Sequence, residues 1–271
     1  MIIETNTELL EYIPNVFASV IGENPLYDKM LKFLKVAELW LNVEVCDHAT
    51  YSALSEDQKE LAKRIVVMDA FHRAIPHLDL VLTPNGFGIV SNQNVAPASK
   101  ERVASLREQT LLERDLSINQ LVNVLHGNST WMDSVPGRKW GKTIIQNLEI
   151  SSECGEDAPS WNWYQAHIRE IQGLQRMIAI NFVSVAVMDR LCQSLLNATV
   201  TDIEARLIEM IRGFIVASLK EEQPTHEDLE KMVNYIKKNP EAFSEWASSD
   251  TALLFEDYTF ENEKESKGFW F

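Results

Sequence analysis

Apolar residues recur at helical spacing through most of the chain. Met30, Phe33, Leu34, Ala37 and Leu41 form one stripe of an amphipathic helix, with Pro25 near its start, where a missing N–H costs little. Ser55-Glu56-Asp57-Gln58 reads as a capping box. It opens a second helix with the stripe Leu61, Ile65, Met68, His72 and Ile75, which Pro76 stops or kinks. A third is predicted from Pro97-Ala98-Ser99 to about Leu125, with Ile118, Leu121, Val122 and Leu125 inward and Gly127 at the C′ position.

The second half repeats the pattern without repeating the residues. A long helix is expected from about Trp161 to Leu196. Ile171, Leu174, Ile178, Asn181, Val185, Met188, Cys192 and Leu195 alternate by three and four, the spacing of a heptad seam. Such a seam serves either a helix buried in its own bundle or a helix–helix interface whose register Asn181 sets. Thr201-Asp202-Ile203-Glu204 predicts another capped helix, holding Leu207, Met210, Ile211 and Phe214. Thr225 caps a further one, with Leu229, Met232, Val233 and Ile236 inside and Pro240 at its end.

Two stretches break the periodicity. Residues 82–99, LTPNGFGIVSNQNVAPAS, read as a loop or small extended arm with a β-prone run from Phe87 to Val90. Residues 127–160 concentrate Pro, Gly, Ser and acids and read as a linker or protruding arm. Strand is expected only near 86–91 and at 143–150. The fold class is therefore mainly α: a multi-helix bundle with long irregular arms and at most one small β-hairpin. Its expected organisation is an N-terminal helical domain (1–126), the linker or arm (127–160), a C-terminal helical domain (161–260) and a polar, aromatic tail (261–271).

Composition narrows the class. The chain has 271 residues, 45% of them hydrophobic, so it has the apolar mass to fold; Gly (10) and Pro (9) are too scarce for an all-β protein. Lys and Arg number 25 against 40 Asp and Glu, a net charge of −15, shared by both halves. That balance argues against sequence-specific nucleic-acid binding, while a surface that DNA passes without sticking fits it. Cys46, Cys154 and Cys192 are widely spaced, as reduced thiols of a cytoplasmic protein are. The opening MIIETNTELLEY lacks the basic start of a signal peptide, and the longest uncharged apolar run, Met177 to Met188, is too short to span a bilayer. A soluble, cytoplasmic protein without membrane partners is expected.

Catalytic signatures do not emerge. Gly137 to Thr143 imitates a phosphate-binding loop, but three residues separate the glycine from Gly-Lys-Thr where four are needed, and Pro136 holds the required glycine position. Asp69 with His72, and Glu44 with His48, are the nearest approaches to metal-ligand pairs, and neither has a matching second helix. The sequence contains no GxSxG. No cofactor and no enzymatic activity are expected. The candidate residues are instead partner contacts: Phe87, Asn92 and Asn94 on the first irregular stretch, Arg138, Lys139, Trp140 and Lys142 on the second, and Phe269, Trp270 and Phe271 in the tail. The three tail aromatics either fold back on their own core or anchor in a groove of another subunit.

ELWLNVEVCDHATY (38–51), RIVVMDAFHRAIPHLDLVLTPNGFGIVSNQNVAPASKERVASL (64–106) and the terminal KGFWF resemble a family of uncharacterised proteins of gut-type Bacteroidota and their prophages. The resemblance is good over the first half and weaker over the second. It implies a virion structural protein, such as a head–tail connector or head-completion subunit, that forms homo-oligomers and joins other phage head or tail proteins. It brings no catalytic residues. The rivals are a monomeric helical binding or regulatory protein and an enzyme with an unrecognised site.

Overall fold

A computed structural model of the chain describes residues 1–13, 25–78, 80–83, 86–89, 99–222 and 224–256. It is a mainly α, multi-helix bundle. Helices α1 (Asn6–Tyr12), α2 (Leu26–Glu44), α3 (His48–Ala53) and α4 (Glu56–Leu78) lead into one antiparallel hairpin, β1 (Leu80–Thr83) with β2 (Gly86–Ile89), in which Leu80 pairs with Ile89 and Thr83 with Gly86. Then follow α5 (Lys100–Leu125), α6 (Ser129–Asp133), α7 (Val135–Trp140), α8 (Glu149–Glu153), α9 (Trp161–Ile178), α10 (Val185–Leu196), α11 (Asp202–Leu219), α12 (His226–Lys238), α13 (Ser244–Ala247) and α14 (Asp250–Leu253). Among the described residues no helix is long and apolar enough to cross a membrane.

Helix α4 is the spine of the first half and packs against both α2 and α5. Met30, Leu34, Ala37 and Leu41 of α2 are buried, as their spacing requires. The box at the start of α4 closes as expected: Ser55 N donates to Gln58 Oε1 at 3.1 Å. Pro76 does not stop α4, which runs two residues further; a proline this near the C-terminus costs one backbone bond in a turn that is ending anyway. Gly127 adopts φ 81°, and its N–H leaves α5 to reach Leu196 O at 2.8 Å.

The segment 127–160 is not a protruding arm. It folds inward as α6, α7, a compact turn and α8, and wedges between the two halves. Trp131 is fully buried and donates its indole N–H to Val45 O at 2.8 Å; Trp140 donates to Glu44 O at 3.1 Å. Gln146 donates to Cys192 O at 2.8 Å, and Ile144 N donates to Gln175 Oε1 at 2.7 Å. Residues 143–150, expected as strand, form that turn and the start of α8, since these backbone groups find side-chain partners rather than a neighbouring strand. Buried side chains run as one contiguous set from Ile2 to Ala252.

The expected helix 161–196 is broken. A π-helical turn, Ala179–Val183, follows α9, and Ser184 then adopts φ 77°, ψ 149°. The carbonyls freed there are taken up by the last short helices: Thr251 Oγ1 donates to Ile180 O and Trp246 Nε1 to Phe182 O, both at 3.0 Å. The break shifts the buried line, so Asn181 and Val185 face solvent while Phe182, Val183 and Val187 are buried. Asn181 is exposed and donates to Met177 O of its own helix, at 2.9 Å.

Candidate functional site

A cleft of about 540 Å³ lies where α2, α4 and α5 meet. Its floor is an ionic cluster built into the core. Asp69 of α4 is 1% exposed, Arg114 of α5 5% and Asp115 of α5 4%. Arg114 donates from Nη1 to Asp69 at 3.0 Å and from Nε to Asp115 at 2.7 Å. Arg73, one turn along from Asp69, donates to the same carboxylate at 2.6 Å. Trp161 N, at the start of α9, donates to Asp115 at 2.9 Å, so one carboxylate ties α5 to the second half of the chain. Burial pushes the Asp115 carboxyl above the usual range, and the neighbouring Arg114 and the Trp161 N–H pull it back. The third guanidinium nitrogen, Arg114 Nη2, is buried without a hydrogen-bond acceptor, and the guanidinium lies over the Trp40 ring, 5.4 Å from its centroid.

The walls are mixed. His77 stacks on Phe33 with ring centroids 5.6 Å apart. Val36 and Leu111 add aliphatic surface, and Arg107 stands at the rim. His72 is half-buried, its Nδ1 3.3 Å from Arg107 O; burial lowers its pKa, which favours the neutral ring. Three arginines and one carboxylate line this cleft, against the acidic balance of the chain. Its chemistry suits recognition of an anion joined to an apolar body.

The Asp69–His72 pair raised by sequence is thereby resolved: both Asp69 oxygens face arginines, and His72 faces a backbone carbonyl. The Gly137–Thr143 stretch is the end of α7 and a turn. A Cβ on Gly137 would lie 1.9 Å from Trp131 O, so this glycine serves the close approach of α6 and α7 rather than a phosphate.

The expected partner contacts separate. Arg138 and Lys142 are exposed, and Lys139 pairs with Glu44. Trp140, expected on an arm's surface, is instead 3% exposed and stacks on Tyr164, with centroids 5.2 Å apart. Phe87 lies in β2. Asn92, Asn94, Phe269, Trp270 and Phe271 lie outside the described residues. Of the described candidates, Arg138, Lys139, Trp140 and Lys142 lie away from the cleft lining. The signal that could have found the cluster was positional. Extending the α5 stripe of Leu125, Leu121 and Ile118 backwards by helical steps reaches Arg114 and Thr110, both buried.

Residues 15–139 are similar to a family of unknown function, DUF6712, a stretch that contains Asp69, Arg73, Arg107 and Arg114. No curated protein and no solved structure matches the chain.

Proposed function

We propose that this chain is a structural assembly subunit of phage or prophage origin, a head–tail connector or head-completion protein, working through contacts between copies rather than by catalysis. The observation that carries the reading is the outer face of α2. Val36, Leu39 and Val43 fall on one side of that helix and are 49%, 65% and 49% exposed. They lie opposite the buried row Met30, Leu34, Ala37 and Leu41. A helix apolar on two opposite faces suits burial on both. Lys32 and Lys35 flank the outer row, so α2 offers an apolar stripe with a cationic border. The net charge of −15 is the same on every copy, so it is the apolar row, not net attraction, that would hold copies together. The same acidity suits a ring through which DNA slides, because phosphate is repelled rather than held. The resemblance of residues 38–106 to prophage-borne proteins points the same way.

The test is mass in solution, by native mass spectrometry and sedimentation across the micromolar range. An oligomer is expected, and Leu39→Asp should shift it towards monomer while keeping the circular dichroism spectrum of the folded chain. A wild-type chain that stays monomeric throughout would overturn the proposal in favour of a monomeric binding protein. Micromolar affinity for duplex DNA at low salt would overturn the reading of the acidic surface.

A further inference from the structure

We infer that the α2–α4–α5 cleft receives the acidic, aromatic segment 257–271 of a neighbouring copy, an inference that rests on the assembly reading above. The cleft offers what such a segment needs. Arg114 lines it, its guanidinium holding Asp69 and Asp115, and Arg73 lines it beside Asp69. The Arg73 side chain is 40% exposed, so an incoming carboxylate meets its guanidinium in a charge-assisted bond. Arg107, exposed at the rim, supplies a second cation. The Phe33–His77 stack, Val36 and Leu111 supply apolar surface beside these charges.

Segment 257–271 has the matching chemistry. It carries Asp257, Glu261, Glu263 and Glu265 against two lysines, and it interleaves Tyr258 and Phe260 with the acids before closing in Phe269-Trp270-Phe271. Its root is fixed: Phe255 packs against Phe182 with centroids 6.0 Å apart, and Lys237 Nζ holds Phe255 O at 2.8 Å. Fifteen residues beyond that point can span about 50 Å when extended. Val36 belongs both to the cleft wall and to the outward row of α2, so the cleft opens beside the face assigned to a neighbouring copy.

The test uses the full chain with a photo-reactive benzoylphenylalanine in place of Trp270. Mixing isotope-labelled and unlabelled copies tells cross-links between copies from those within one. Expected are inter-copy cross-links to α2, α4 or α5 residues around Phe33, Val36, His77 and Arg107. Arg107→Glu should lower their yield by about tenfold, the effect of a lost charge-assisted contact. Arg107 is exposed, so an unchanged melt confirms that the variant is folded. Inter-copy cross-links that map elsewhere, or a yield indifferent to Arg107→Glu, would overturn the inference while leaving assembly standing. A monomeric mass with cross-links confined to one chain would overturn both delivery by a neighbour and the assembly reading.

Discussion

Replacing Arg114 by Met gives the sharpest test of how the core around the cleft is held. The side chain is 5% exposed and sits between two buried carboxylates, 3.0 Å from Asp69 and 2.7 Å from Asp115. Methionine fills similar space but leaves Asp115 with the Trp161 N–H alone and Asp69 with Arg73 alone. Breaking a buried ion pair from one side costs about 3–5 kcal/mol, because a charge is left in the core without its counter-ion. A chain of 271 residues has an unfolding entropy of about 570 cal/mol/K, so the loss corresponds to a drop in Tm of about 5–9 °C. Circular dichroism melts at pH 7 would measure it. The pH dependence adds a second check. Burial holds Asp115 above its unfolded pKa, so its contribution to stability is present below the unfolded value and is lost as pH rises through the folded one. Removing Arg114 raises the folded value further. The deficit of Arg114→Met should therefore shrink on acidification from about pH 7 to about pH 5, and the second change Asp115→Asn should recover part of it. A drop under about 2 °C, or a deficit indifferent to pH, would refute the account of the cluster as a core held by ion pairing.

Three further outcomes are expected. Ser184→Gly should stabilise the chain, because φ 77° with ψ 149° is a backbone region that glycine adopts freely and that costs other residues about 1–3 kcal/mol, whereas losing the Ser184 cap on Val187 N costs a few tenths; a lowered Tm would contradict this. Gly137→Ala should destabilise by about 3 kcal/mol or more in urea titration, since its Cβ would meet the Trp131 carbonyl oxygen at 1.9 Å; a near-neutral result would mean that α6 and α7 do not pack as described. With a thiol reagent at mildly alkaline pH, half-buried Cys154 should react first. Burial pushes Cys46 and Cys192 up to about 12, and simultaneous reaction of all three would speak against those two sites being closed.

Much of the helical framework was legible because its signals are local. The α2 stripe and the boxes at Ser55 and Thr201 depend on residues within a turn or two of each other, and the structure realises them. Segment 127–160 was misread for a physical reason. Its Gly and Pro serve close packing and helix starts rather than exposed turns: Gly137 admits the Trp131 carbonyl, and Pro136 sits in the first turn of α7. The seam is interrupted at Asn181 and Val185, where a π turn adds a residue to the helical count before the Ser184 break, and it resumes at Met188 and Cys192, which are buried. Arg114 and Asp115 were overlooked because their charge argued for the surface. Partners far away in sequence make their burial tolerable: Asp69 of α4, 45 positions from Arg114, and the Trp161 N–H of α9, 46 positions from Asp115. Non-local compensation of that kind leaves no trace in a window of sequence.

The stretch that matches a family ends at residue 139, inside α7, yet the packed core does not end there. Asn119 Oδ1 accepts from Leu148 N at 2.8 Å, and Asp115 accepts from Trp161 N at 2.9 Å. Two polar side chains buried within the matched stretch are thus satisfied by backbone donors beyond it. Cutting at residue 139 would leave both acceptors without these donors and remove Trp140, whose indole N–H holds the end of α2. The matched stretch carries the cleft, the outward row of α2 and the arginines. The turn 141–148 and helix α9 close the core behind them. Any activity of the matched stretch therefore depends on the remainder as its support. Substitutions at Gln146 or Gln175, which join that turn to α9 and α10, should alter the cleft only by loosening the core.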